Sequence, residues 1–271
     1  MKKCARIVVG LLTVGILIAG ATGCTKLRAR DHLNKGVQAF RNAQYPEAVD
    51  HFKTSLDLDP TFTTARLYLA TAYMSQYIPG ADSPDNIQMA NTAMGEFENV
   101  LKSDPANGIA LASIASLYFH QKKFPEAEEW YKKLIAADPK NKEAYYTLGV
   151  IAWTRSFQPR MEARAELGMK PEDPGPLKDA KIRTTLREKL LPVVDDGLSN
   201  LEKAIEIDPE YDDAMAYLNL LHRERADLMD SKAEYEKEIE IADNWVDKTL
   251  ATKKVKAART QSVQAIGVTG E

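Results

Sequence analysis

Apolar residues return at intervals of three and four along most of this chain, the period of one face of an α-helix. A clear run lies near the C-terminus: Tyr235, Ile239, Ala242, Trp245, Val246 and Leu250 share one stripe of a predicted helix from about Lys232 to Ala258. A second pattern overlies the first. Small residues (Gly36, Ala48, Ala70, Ala93, Ala115, Ala127, Gly149) recur among large ones such as Tyr73, Phe97, Tyr118 and Tyr131, as close packing of helices at fixed points requires. Helix stops recur too. Asp-Pro closes four stretches, at Pro60, Pro105, Pro139 and Pro209, with intervals of 45, 34 and 70 residues. The residue before proline is pushed out of the helical region and proline has no N–H to continue the ladder, so each Asp-Pro ends a helix. Helices restart at Pro46-Glu47 and Pro125-Glu126, where a missing N–H costs nothing and an acid faces the positive helix end.

Gly36, Tyr45, Ala48, Phe52 and Pro60 in one block, and Ala115, Tyr118, Phe124, Ala127, Tyr131 and Pro139 in another, stand in the order of the 34-residue tetratricopeptide repeat (TPR). The chain resembles that family. The resemblance implies an all-α TPR helical solenoid of about five helix-turn-helix units, at about 29–62, 63–107, 108–141, 142–211 and 212–259. The long helix of the last unit then serves as a cap, since terminal repeats need a polar outer face. The second block carries a surplus around residues 77–86, where Pro79, Gly80 and Pro84 break the pattern; a solvated loop is expected there, and its Asp82, Asp85 and Asn86 lack the ligand order of a calcium loop. The fourth block holds an insertion. It is expected to form a short basic helix near Arg160 to Leu167, a turn at PEDPGP, and a helix from Asp179 toward Leu191 that Pro192 kinks or restarts. Residues 260–271 lose the pattern and are expected to be a disordered tail.

The first residues change the picture of where the protein works. Lys2, Lys3 and Arg6 precede an apolar run from Ile7 to Ala21, and small residues precede Cys24. That is the layout of a secretory signal, and the run is shorter than the roughly 20 residues a spanning helix needs. Ala21-Thr22-Gly23-Cys24 resembles the lipobox of bacterial lipoproteins, with Ala in place of the usual Leu. The resemblance implies a signal peptide over 1–23, acylation (palmitate) of Cys24, a short tether over 24–28, and a protein exported and lipid-anchored to a bacterial membrane on the periplasmic side, at the outer membrane. Lipidation also accounts for the lone cysteine left once Cys4 is removed. Lys26, Arg28 and Arg30 stand where they would meet anionic headgroups.

Charge excludes one class of partner. Loss of three cations takes the net charge from −3 to −6, against the clustered positive charge that nucleic acid demands. The four histidines, His32, His51, His120 and His222, fall in different places with no paired metal spacing, and the chain has no phosphate-type glycine loop or G-x-S-x-G turn. No enzyme activity, no cofactor, no metal and no small-molecule substrate are expected. The TPR resemblance instead points to a protein or peptide partner, held by groove-facing positions on the first helix of each unit. These are Leu33, Val37 and Phe40; Leu67, Thr71 and Met74; Ala112, Ser116 and Phe119; Tyr146, Val150 and Trp153; and Ala216, Leu220 and Arg223. Spacings of four and three put each trio on one helix face. Leu33 and Val37 stand where carboxylate-clamping relatives carry Lys and Asn, so an apolar guest segment is expected. The insertion at 155–190 is long enough to cover such a groove itself. The expected role is a membrane-tethered interaction scaffold of the cell envelope; the alternative is a structural subunit of an envelope, outer-membrane or secretion assembly.

Overall fold

A computed structural model describes residues 24–268; the predicted signal peptide and residues 269–271 lie outside the described residues. The described chain is helical throughout, with no strand. The helices are α1 (24–41), α2 (Tyr45–Leu58), α3 (Thr63–Met74), α4 (Pro84–Ser103), α5 (Gly108–His120), α6 (Phe124–Ala137), α7 (Lys142–Glu166), α8 (Ala180–Ile207), α9 (Asp212–Ala226) and α10 (Lys232–Val268). They form antiparallel pairs of the TPR type. The pairs fall into two compact units that divide at Ala127 and Glu128, inside α6.

The four Asp-Pro dipeptides share one local device. Each aspartate donates its backbone N–H to a carbonyl four residues back, from Asp59 to Ser55 (3.0 Å), Asp104 to Val100 (3.0 Å), Asp138 to Leu134 (2.8 Å) and Asp208 to Ala204 (2.9 Å). The proline then stops the ladder. Three of the carboxylates accept a backbone N–H two residues on, from Thr61, Lys140 and Glu210, the Asx turn that steers the chain out of a helix. Two of the reversals end on an asparagine: Asn107 and Asn141 each accept the N–H of the third residue on, at 3.0 Å, and so cap α5 and α7. One stop and one start, three residues apart, make the turn between repeats.

In the unit to residue 127, Ala48, Phe52, Leu69 and Ala72 build a core on which Leu33, Val37, Phe40 and Tyr68 pack from the sides. Gly36 lets α1 approach α2, since a Cβ there would stand 2.5 Å from the Phe52 ring. In the unit from 128, Val194, Leu198, Leu201, Ala214, Leu218 and Leu221 form the core. A Cβ on Gly149 would lie 2.4 Å from Cγ of the buried Leu201. Because Cγ is the branch point and not the free end of that side chain, Gly149→Ala is expected to destabilise by about 1–3 kcal/mol, the usual effect of overpacking. Urea unfolding of the two proteins checks this.

Both insertions differ from expectation. The surplus of the second block is partly helix: α4 starts at Pro84 behind Ser83, whose hydroxyl accepts the Asn86 N–H at 3.2 Å. Asn86 is not a solvated loop residue but a buried staple. Its amide donates to the carbonyls of Ile78 and Ala81, both at 2.8 Å, and its oxygen accepts the Ile78 N–H at 2.7 Å. In the fourth block no separate short helix forms. Arg160 to Glu166 continue α7 through Pro159, and α8 contains Pro192 without restarting there; the insertion lengthens both helices of the hairpin. The reason lies at the hairpin tip, where Ala163, Met169 and Leu177 make a small core with Leu167, Ile182 and Leu186. That packing joins the end of α7 to the start of α8.

The ends differ as well. Residues 24–28, expected as a tether, are helical, and the buried Ala29 carbonyl accepts the Ser55 hydroxyl at 2.7 Å. Four helical residues advance only about 6 Å, less than half the reach of an extended tether. Residues 260–268, expected to be disordered, continue α10. Lys256 and Arg259 tie that helix back to the α8–α9 turn, through ion pairs to Asp212 and to Glu210 (2.7 Å).

Candidate functional site

The fifteen positions assigned to a groove share one environment. Leu33, Val37, Phe40, Leu67, Met74 and Phe119 in the first unit, and Tyr146, Val150, Trp153 and Leu220 in the second, are all half-buried, as are Thr71, Ala112, Ser116, Ala216 and Arg223. The small residues of the packing pattern, Gly36, Ala48, Ala70, Ala93, Ala115, Ala127 and Gly149, are all buried. One face of each first helix therefore closes the core, while another keeps apolar atoms at the surface.

In the first unit Phe40 meets Tyr45 edge-on at 5.4 Å, and Phe119 lies 6.0 Å from Phe124. These are local pairs at the hairpin turns. Here the structure also joins two histidines that the sequence left apart: His32 and His51 face each other across α1 and α2 with Nδ1 atoms 3.4 Å apart. Among the described residues no group of three or more His, Cys, Asp or Glu stands together as a metal site.

The second unit assembles more. Ring centroids run from Tyr211 to Tyr146 (5.1 Å), to Tyr217 (5.5 Å), to Trp153 (5.7 Å) and to Phe157 (5.1 Å). This continuous ladder joins α7 to α9, in arrangements that favour aromatic pairs. Tyr211, Tyr217 and Phe157 were missed in the sequence. Each sits off the repeat's groove positions; Phe157 follows Trp153 by four residues on α7, a spacing the sequence shows, while only the pairing of neighbouring helices brings Tyr211 and Tyr217 beside Tyr146 and Trp153. Burial and the nearby phenol of Tyr217 push the Tyr146 hydroxyl up to about 12. Tyr211 is raised by burial and by its hydrogen bond to Glu143 Oε2, at 2.5 Å, and Tyr217 by burial and the charge of Asp213. All three phenols stay neutral at ordinary pH.

The insertion supplies the last ring of this ladder, Phe157 against Trp153. It is fastened to the far end of α9. Arg164, 2% exposed, donates to both carboxylate oxygens of Asp227, itself 2% exposed, at 2.8 and 2.9 Å. Its other terminal nitrogen reaches the carbonyls of Lys170 and Asp173, which folds the hairpin tip around it. Arg160 joins Glu224 (2.6 Å) and Asp227 (2.8 Å). Burial pushes the Glu224 carboxyl up, against the pull of Arg160.

Stacked helical hairpins with a half-buried apolar face on their first helices define the fold class, an all-helical solenoid. Residues 88–149 match the family model for the tetratricopeptide repeat, and the fold is a TPR-like helical solenoid. It is 34% identical over 117 residues to sperm-associated antigen 1 of Rattus norvegicus, a stretch covering 43% of this chain and 12% of that protein. It is 24% identical over 196 residues to the mitochondrial import receptor subunit TOM70 of the same species, covering 72% of this chain and 26% of that one. The chain thus spans only a fraction of either relative's length. Among solved structures, MamA of Desulfovibrio magneticus RS-1 aligns with a TM-score of 0.56 and 16% identity, over 84% of this chain and 96% of that one. YrrB, a TPR protein with an unusual peptide-binding site, aligns with a TM-score of 0.51 and 14% identity, over 82% and 90%. Both likenesses show the shared fold.

Proposed function

We propose that this protein is a membrane-tethered TPR scaffold of the bacterial cell envelope, of the lipoprotein type, which holds a segment of a partner protein against the half-buried face of its first helices. One observation carries the reading: every groove-position side chain remains partly accessible while the packing positions of the same helices are sealed. A surface that only had to stack would have no need of Phe40, Trp153 and Tyr146 at its edge. The peptide-binding site named for YrrB supports the same use of the fold. Phe40→Ala and Trp153→Ala are each expected to weaken partner capture about tenfold or more, as loss of an aromatic anchor does, with the helical circular-dichroism spectrum kept. Unchanged capture by both variants would overturn the groove.

The tether is the second part of the proposal. Cys24 is exposed and carries a free thiol, and the helix that begins there leads without a linker into the first hairpin. Among the described residues no helix is long and apolar enough to cross a membrane. Acylation of Cys24 would hold the protein on the periplasmic side of a membrane, the outer one in our reading, with two or more chains giving stable anchorage. Cys24→Ala is expected to move the protein from the membrane to the soluble fraction of fractionated cells; retention in the membrane would exclude the lipid anchor. A second reading, as a structural subunit of an envelope assembly, draws on exposed Leu250 and Val255 on α10. It requires stoichiometric co-purification that survives Trp153→Ala.

A further inference from the structure

We propose that the aromatic ladder of the C-terminal unit takes a cationic, extended segment of a partner protein, with Lys or Arg side chains laid over the rings between Glu143 and Asp213. This rests on the groove reading above and adds the chemistry of the guest. The first argument is what already occupies the ladder. Its two end rings each carry one of the protein's own cations: Lys142 Nζ lies 4.8 Å from the centre of Tyr211, and the Arg160 guanidinium 5.7 Å from that of Phe157. The three inner rings, Tyr146, Tyr217 and Trp153, hold no cation among the described residues. Tyr217 stands edge-on to both Tyr146 and Trp153, at 82° and 81°, and the faces these rings keep free attract cations.

The second argument is charge. Cations on and around the ladder are already engaged with carboxylates: Lys142 with Asp208 (2.6 Å), Arg155 with Glu128 (2.5 Å), Arg160 with Glu224 and Asp227, and Arg223 with Asp243 (2.5 Å). The acids are not so matched. Asp213 is exposed and makes no ion pair among the described residues, yet its charge reaches the hydroxyls of Tyr146, Tyr211 and Tyr217. Glu143, also exposed, accepts the Tyr211 hydroxyl and forms no ion pair there. An acidic guest would bring its carboxylates to two acids whose neighbouring cations, Lys142 and Lys256, are already paired with Asp208 and Asp212. An uncharged one would desolvate both acids without replacing the lost water. A Lys- or Arg-bearing segment satisfies the acids and the rings together.

The test uses the full chain and two short unstructured peptides, identical except that each Lys of one is Glu in the other, with affinities read by fluorescence anisotropy. The lysine peptide is expected to bind roughly tenfold tighter than the glutamate peptide, and more weakly as salt rises. Asp213→Asn is expected to lower that preference several-fold with only a small drop in the thermal melt, since the exposed carboxylate's structural part is to face the N-terminal end of α9. Equal binding of the two peptides, or tighter binding of the glutamate one, overturns the cationic guest and leaves the groove standing. If neither peptide binds, photo-crosslinking from position 153 decides. A captured segment rich in Lys or Arg upholds the proposal, one without them overturns it, and no capture overturns the groove as well.

Discussion

Asp227→Ala is expected to cost about 3–5 kcal/mol, because it leaves two buried guanidinium groups facing one remaining acid. Arg164 and Asp227 are each 2% exposed, and Arg160 reaches both Asp227 and Glu224. In the folded protein two cations balance two anions, with Arg164, Glu224 and Asp227 buried and Arg160 largely so. Removing one anion strands a charge whose desolvation is no longer offset. The damage extends past the ion pair, because Arg164 also holds the carbonyls of Lys170 and Asp173 and its orientation depends on Asp227. Asp227→Asn keeps the shape and loses the charge, so it is expected to fall between wild type and alanine. Replacing Arg160, Arg164, Glu224 and Asp227 together by apolar residues of similar volume is expected to cost less than the single alanine. All three tryptophans, Trp130, Trp153 and Trp245, stand in the C-terminal unit, so tryptophan fluorescence during urea unfolding reads this unit selectively. A midpoint unchanged by Asp227→Ala would show that the cluster contributes nothing to stability.

Phe52→Ala is expected to cost about 3–5 kcal/mol in the first unit, the range for truncating a fully buried aromatic residue. Phe52 is 0% exposed, stacks on Tyr68 at 5.6 Å, and lies over Gly36. The last contact gives the prediction a second, sharper part. Gly36→Ala alone places a methyl group 2.5 Å from the ring and is expected to cost about 1–3 kcal/mol. In the Phe52→Ala background the ring is gone and the methyl group fills part of the cavity, so the same change becomes neutral or stabilising. The coupling in the double-mutant cycle, read by far-ultraviolet circular dichroism in urea, is thus expected to be large. Additive effects would mean that Gly36 is needed for its backbone and not for the ring above it.

Much of this was legible in the residues themselves. The Asp-Pro stops, the prolines that open helices, and the alternation of small and large residues act over a few residues or one helix turn, so chemistry along the chain suffices to read them. The groove trios are different: helical period puts each trio on one face, but their assignment to a groove is what the TPR resemblance implies. The insertions were misread for a related reason. Pro159 and Pro192 carry a strong local signal to break a helix, and nothing in their neighbourhood announces the packing at the hairpin tip that joins the end of α7 to the start of α8. Asn86 looked like a polar loop residue because its three partners at Ile78 and Ala81 are created by the loop it closes.

The sequence by itself determined the repeat, its stops and starts, and which face of each helix is sealed, because these depend on periodicity and on backbone chemistry that each residue carries with it. Only the tertiary structure decided that five rings from α7, α9 and the N-cap of α9 join into one ladder, that two histidines meet, and that the insertion fastens to the far end of α9. Those outcomes depend on which side chains neighbouring helices bring together, and burial strengthens an interaction such as Arg164 with Asp227 only after the fold has excluded water from it.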